Sequence, residues 1–273
     1  MKNNKSLPNS LLATATVMCT TLYAVSAYAT AYIVSPWGTG QFRPAVVVPA
    51  LFGAIFGPMP AAVGAAIGTL IADSIKHGQL YLKSLIAAVP GNFIGFYIYG
   101  LILKKKFSWE NFVKACLTTL LIGNLIVSLG ILVYYYLFMP QFFSSIPLST
   151  WGFTAIGLTT WFFVTMLPFM ILLTPILIKS VCKAAPSLTP NDIKAASLKQ
   201  EFPKITFGLT MLIPGVIMLV IGWILSFTKL GDLVVTGLPT PALTLSLIKI
   251  LFYGAGVGLF SLGALIITKR IKI

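Results

Sequence analysis

Arg43 and Asp73 close the two ends of a run, FRPAVVVPALFGAIFGPMPAAVGAAIGTLIAD, that carries no other charge. Opposite charges on so apolar a background suit either of two tasks. They can form a polar rim that orients a ligand, or they can snorkel at a membrane interface, where the cost falls far below the ~2.5–3.5 kcal/mol of a charge at mid-bilayer. With Lys76 just beyond Asp73, the charges suit an anionic or zwitterionic compound, or equally a shell of water. Upstream, PWGTGQF joins the flat ring of Trp37 to Gly38, Gly40 and Gln41. Its glycines reach conformations closed to other residues, so the loop can close over a ligand, while Trp37 can equally anchor at the interface. Asn92, in AAVPGNFIGF, follows Pro90, whose missing amide frees a carbonyl; the Asn either bonds that carbonyl or faces a cavity. Asn124 is a weaker case of the same kind. Trp161 beside Thr159 and Thr160, and Tyr135 within a triple tyrosine, match both a small-molecule pocket lining and an interfacial belt.

These residues bind rather than react. Hydrolysis or group transfer needs paired acids, a serine with a base, or a His and Asp cluster, and no such spacing occurs. His77 is the single histidine, Cys19, Cys116 and Cys182 are widely separated with no CxxC pair, and no phosphate loop exists. The expectation is a non-enzyme without cofactor, metal site or disulfide framework.

The elements that must position these residues are membrane helices. A mean hydropathy of +0.96, with 58% hydrophobic and 9% charged residues, marks an all-α polytopic membrane protein. Eight apolar spans are expected, at residues 11–34, 43–57, 58–75, 82–103, 112–138, 151–178, 205–227 and 246–268. The second and third are short for a ~30 Å hydrocarbon core and are expected to sit within the bundle. Lys2 and Lys5 ahead of an apolar run, with Ala27-Tyr28-Ala29, resemble a signal peptide, but the run continues apolar to Val34 and reads as a retained first helix. The +14 net charge reflects topology rather than a nucleic-acid partner. Lys2, Lys5, Lys104, Lys105, Lys106, Lys114, Lys179, Lys183, Lys194, Lys199, Lys204, Lys269, Arg270 and Lys272 fall on one side of eight spans, against Arg43, Lys76, Lys83, Lys229 and Lys249 on the other. The first side is the cytoplasm by the positive-inside rule, which gives a multi-pass plasma-membrane protein with both termini cytoplasmic.

Residues 1–182 hold six closely connected spans. Residues 183–204 form a basic linker broken by Pro186, Pro190 and Pro203, with a short amphipathic helix expected near 191–200 and capped by Asn191. Residues 205–273 add two more helices. Gly53, Gly57, Gly64 and Gly68, with the neighbouring alanines, make a helix surface flat enough for close backbone approach. No internal repeat is found, which counts against an inverted-repeat secondary transporter.

The run from Phe42 to Asp73, followed by PGNFIGFYIYG and KKK, resembles the substrate-binding S components of energy-coupling factor (ECF) vitamin transporters over about residues 10–180. The resemblance implies a six-helix S-component-like bundle plus two extra C-terminal transmembrane helices. It implies capture of a small water-soluble micronutrient from outside, with energy from a separate transmembrane T component and two cytoplasmic ATPases, and release by toppling in the bilayer. Residues 37–43, with Trp37, Gln41 and Arg43, become the lid. Asn92, Tyr135 and Trp161 become pocket residues, and Asp73 becomes a rim or structural residue. The family's small-residue docking face on the first helix corresponds here to Ala15 with Cys19 in the cytoplasmic half, and to Ala27 with Ala31 in the outer half. The alternatives are an ion-gradient-driven secondary transporter and a non-catalytic membrane assembly subunit.

Overall fold

Apolar sequence surrounded by lipid leaves the backbone no partner but itself, and this chain responds with helices. The computed structural model describes residues 8–197 and 204–268; Lys2, Lys5, Lys199, Lys269, Arg270 and Lys272 lie outside them. Eleven α-helices follow in order among the described residues: α1 (Asn9–Ala29), α2 (Val47–Phe56), α3 (Pro58–His77), α4 (Val89–Lys105), α5 (Trp109–Phe138), α6 (Pro140–Ser144), α7 (Leu148–Ala184), α8 (Asn191–Ala195), α9 (Lys204–Phe227), α10 (Leu230–Val235) and α11 (Pro241–Ile267). The pairing of Val34 with Gln41 is an isolated antiparallel bridge. Among the described residues seven helical segments, counting Ser84–Lys105 as one, are long and apolar enough to cross a membrane, so the chain is an all-α polytopic membrane protein.

Local chemistry sets the boundaries. Pro58 opens α3, where its missing amide costs nothing, and Gly57 before it takes φ +89°, a region that favours glycine. Gly78, at φ +69°, closes α3 in the left-handed conformation, its N–H donating to the Ile75 carbonyl at 3.3 Å. Ser108 caps α5 by accepting from the Asn111 amide at 3.1 Å. Ahead of Pro90 the chain makes a single π turn, Ser84–Ala88, in which the Val89 amide donates five residues back to the Ser84 carbonyl.

Four expectations are corrected. The span at 43–57 is short as expected, one turn of 3-10 helix, Pro44–Val46, and the 10 residues of α2, whereas α3, also expected to be short, has 20 residues, about 30 Å. The first helix stops at Ala29 because residues 30–34 turn to pair with Gln41. The sixth span runs 37 residues, 148–184, and the last starts at Pro241. Asn191 is the first residue of a five-residue helix and not its cap; Pro190 stands in the cap position. Asp192 instead anchors that helix, its carboxylate accepting from the Phe107 amide at 3.3 Å.

Because α2 returns the chain across most of the bundle, α1 and α3 run parallel. Their contact is a seam of small residues: a Cβ built at Gly64 would lie 2.5 Å from Cys19 Sγ, and one at Gly68 would lie 2.8 Å from the Thr20 carbonyl oxygen. This seam corrects the docking assignment. Ala15, Cys19, Ala27 and Ala31 are buried within the chain, Cys19 against Gly64 and Ala15 beside Phe52, so they form no free face. α4 and α5 cross equally closely, Gly91 and Gly95 against Gly123, with Thr119 Oγ1 donating to the Gly95 carbonyl at 3.0 Å. α9 and α11 form an antiparallel hairpin, with Gly208 against Gly263 and Gly215 against Gly256. The hairpin meets the other helices at the start of α7, where Thr150 Oγ1 donates to the Leu233 carbonyl at 3.1 Å.

The eight helices of ten residues or more thus alternate in direction, and Pro8 and Thr268 lie on one face of the bundle. Lys104, Lys105, Lys114, Lys179 and Lys183 gather on that face, while Arg43, Lys76 and Lys83 lie toward the opposite one, called outer below.

Gly68→Leu is expected to destabilise the protein by about 1–3 kcal/mol through overpacking of the seam. Gly258→Ala, where nothing lies within 4 Å, is expected to be neutral or stabilising by up to about 1 kcal/mol. Thermal unfolding in detergent compares the two.

Candidate functional site

The outer ends of α1, α3, α4, α5 and α7 enclose a cavity beneath the loop at residues 30–43. The loop is a small hairpin. The Ser35 amide donates to the Gly40 carbonyl at 2.9 Å, the Phe42 amide donates to the Ile33 carbonyl at 2.8 Å, and the Ser35 hydroxyl donates to the Thr39 carbonyl. Gly38 and Gly40 have φ of +69° and +79°, so both are needed as glycine. The Trp37 ring packs against Gly157 of α7, where no Cβ would fit, and Gly40 packs on Phe162.

Below the loop, Arg43 is held from three directions. Its guanidinium donates to Thr69 Oγ1 at 2.7 Å, to Gln41 Oε1 at 2.9 Å and to Asp73, with which it forms an ion pair. Arg43 is 6% exposed and Asp73 4%, so neither snorkels, and the interfacial reading of these charges is overturned. Burying one charge alone costs several kcal/mol; the pair is tolerated because each charge neutralises the other and the remaining donors find oxygen. Helical spacing explains the geometry, since Thr69 and Asp73 are one turn apart on the same face of α3.

At the mouth stand two further cations. Lys76 Nζ donates to the Ala31 carbonyl at 2.5 Å. Lys83 Nζ donates to Thr39 Oγ1 at 3.2 Å and to the Tyr135 hydroxyl at 3.3 Å, and lies 5.1 Å from the Tyr135 ring centroid and 5.6 Å from that of Tyr81. His77 stacks on Tyr81 at 3.7 Å, with Nδ1 2.7 Å from the Asp73 carbonyl oxygen. Deeper in, Asn92 and Asn124 line the wall with Val127 and Met166. Asn124 is 6% exposed, its amide nitrogen has no partner, and the buried Ser84 hydroxyl also has none. The free space is about 740 Å³ out to the open mouth, and about 110 Å³ of it can hold the centres of water-sized molecules.

Gln41, Arg43, Asp73 and Asn92 therefore line one cavity, whereas Trp37, Tyr135 and Trp161 do not. Trp37 pins the loop to α7. Tyr135 touches the cavity only through Lys83, its ring lying 5.3 Å from Trp151 and 5.5 Å from Phe142. Phe162 and Met166, one turn apart, supply the α7 wall, and Trp161, one residue earlier, points about 100° away into helix packing. Sequence reasoning missed Tyr23, Thr69, Lys83 and Met166. Thr69 was recoverable from its one-turn spacing to Asp73; Lys83 was not, because only the fold of residues 30–43 brings it to the mouth.

Among the described residues no three His, Cys, Asp or Glu side chains group to hold a metal ion, and the three cysteines are free. Comparison with protein-family models, curated proteins and solved structures finds no match.

Asp73→Leu, which leaves Arg43 buried without a counter-charge, is expected to cost about 3–5 kcal/mol, and the double variant Arg43→Met with Asp73→Leu to recover more than half of that loss. A double-mutant cycle of unfolding midpoints measures the coupling.

Proposed function

We propose that this chain is the substrate-capture subunit of an ATP-driven micronutrient importer of the energy-coupling factor type. The observation that carries this reading is the polar cavity at the outer end of an otherwise apolar bundle, roofed by a loop pinned to α7 and to the Arg43–Asp73 pair. In this reading residues 1–182 are the six-helix binding unit and residues 30–43 its lid. Residues 183–204 link it to a two-helix extension at 205–273. The lysine-rich face is cytoplasmic, as the charge asymmetry of a plasma-membrane protein requires. A separate transmembrane T component and two ATPases supply the energy, and the chain itself binds rather than transforms its ligand.

Mass spectrometry of the purified protein is expected to find a small water-soluble compound bound. Asn92→Ala is expected to weaken its retention about tenfold or more through the lost wall contact, and Trp161→Ala to leave it within about threefold, both with unchanged helical content. Reconstituted alone in liposomes, the chain is expected to give no uptake under an ion gradient. Uptake driven by the gradient alone would establish a secondary transporter. Purification with neither a ligand nor ATPase partners would favour the assembly-subunit reading.

A further inference from the structure

The charges around the cavity do not balance. Arg43, Lys76 and Lys83 line it against one carboxylate, Asp73, with His77, Tyr23 and Tyr81 as the remaining titratable groups. The Arg43–Asp73 pair neutralises itself. Among the described residues the other ion pair is Lys114–Glu110, so Lys76 and Lys83 have no acid within ion-pair distance and are held by a carbonyl, hydroxyls and tyrosine rings. A cationic ligand would meet two ammonium groups at the mouth and an acid already engaged by arginine. Further in, the Asn124 amide nitrogen is a buried donor with nothing to donate to, and Ser84 Oγ is unpartnered beside the same space. A buried unpaired polar group costs about 1–3 kcal/mol, so the deep wall is polar and incompletely satisfied by the protein itself.

Size narrows the class. At about 10–15 Å³ per water centre, the 110 Å³ of accessible space holds roughly seven to eleven waters, hence a ligand of about ten non-hydrogen atoms. We infer that the cavity takes a small organic anion, its acid group meeting Lys83 and Lys76 at the mouth. The inference rests on the capture reading above and names the substrate class of that site.

Three probes of one ring size and three charges test it: benzoate, benzamide and benzylamine, added at millimolar concentration to the full-length protein in detergent, with thermal unfolding as the readout. Benzoate is expected to bind at least about tenfold tighter than benzamide, as a charge-assisted contact should, and benzylamine to have no effect. Lys83→Met is expected to abolish the advantage of benzoate over benzamide, and Lys83→Arg to keep it. Should Lys83→Met fail to fold, the Arg variant and the three-probe order still decide. Benzamide binding as well as benzoate, or benzylamine binding best, overturns the anion inference and leaves the capture reading intact. No binding by any of the three overturns the anion inference, and the capture reading is then decided by the mass spectrometry of the purified protein.

Discussion

A guanidinium buried in an apolar bundle has to be neutralised, and the outer half of this protein is arranged around that requirement. Arg43 sits at the start of a short helix that would otherwise be free to slide, and Asp73 sits one turn before the end of a full-length one. Joining them fixes the depth of α2 against α3 and draws Gln41 inward with the guanidinium, so the loop at residues 30–43 takes its position from an ion pair within the bundle. The same pair supplies one wall of the cavity. Structure and candidate site are therefore not separable here, and a change that frees either charge disturbs both.

The second constraint is contact distance. In lipid, apolar surface gains little by meeting other apolar surface, so helices associate through close packing and interhelical hydrogen bonds. The glycines of α3, α4 and α5 allow that approach, and the Thr119 to Gly95 hydrogen bond shows how near the backbones come. With α1, α3, α4 and α5 held so tightly, the cavity is left where the seams end, near the outer ends of the helices. Side chains larger than alanine return there, and the π turn before Pro90 widens α4.

Much of this was legible in the sequence. Hydropathy and length gave the spans, proline and glycine marked the break between α2 and α3, and the bracketing charges drew attention to Arg43 and Asp73. What stayed hidden depended on distances between elements far apart in sequence. Nothing local distinguishes an arginine that snorkels from one that folds back onto an acid thirty positions away; the loop conformation decides it. Trp161 and Tyr135 looked like pocket aromatics by composition, yet a rotation of one residue along α7 exchanges Trp161 for Phe162, and an apolar helix carries no pattern that fixes such a rotation. The alanines and Cys19 of α1 were correctly read as a packing surface but assigned to the wrong neighbour, because a small-residue face does not say which helix it meets.

The π turn at Ser84–Ala88 also bears on how the wall of the site can be altered. Such a turn holds one residue more than the α-helix it interrupts, while the helix on its inner side keeps its register. Ser84, Ala87 and Ala88 border the cavity across that extra residue, while Gly91 and Gly95 below it keep their seam with α5. A one-residue change in length at this point would therefore redraw the cavity wall without disturbing the packing beneath it. Relatives of this chain could differ in what they hold while remaining superimposable in how they are built.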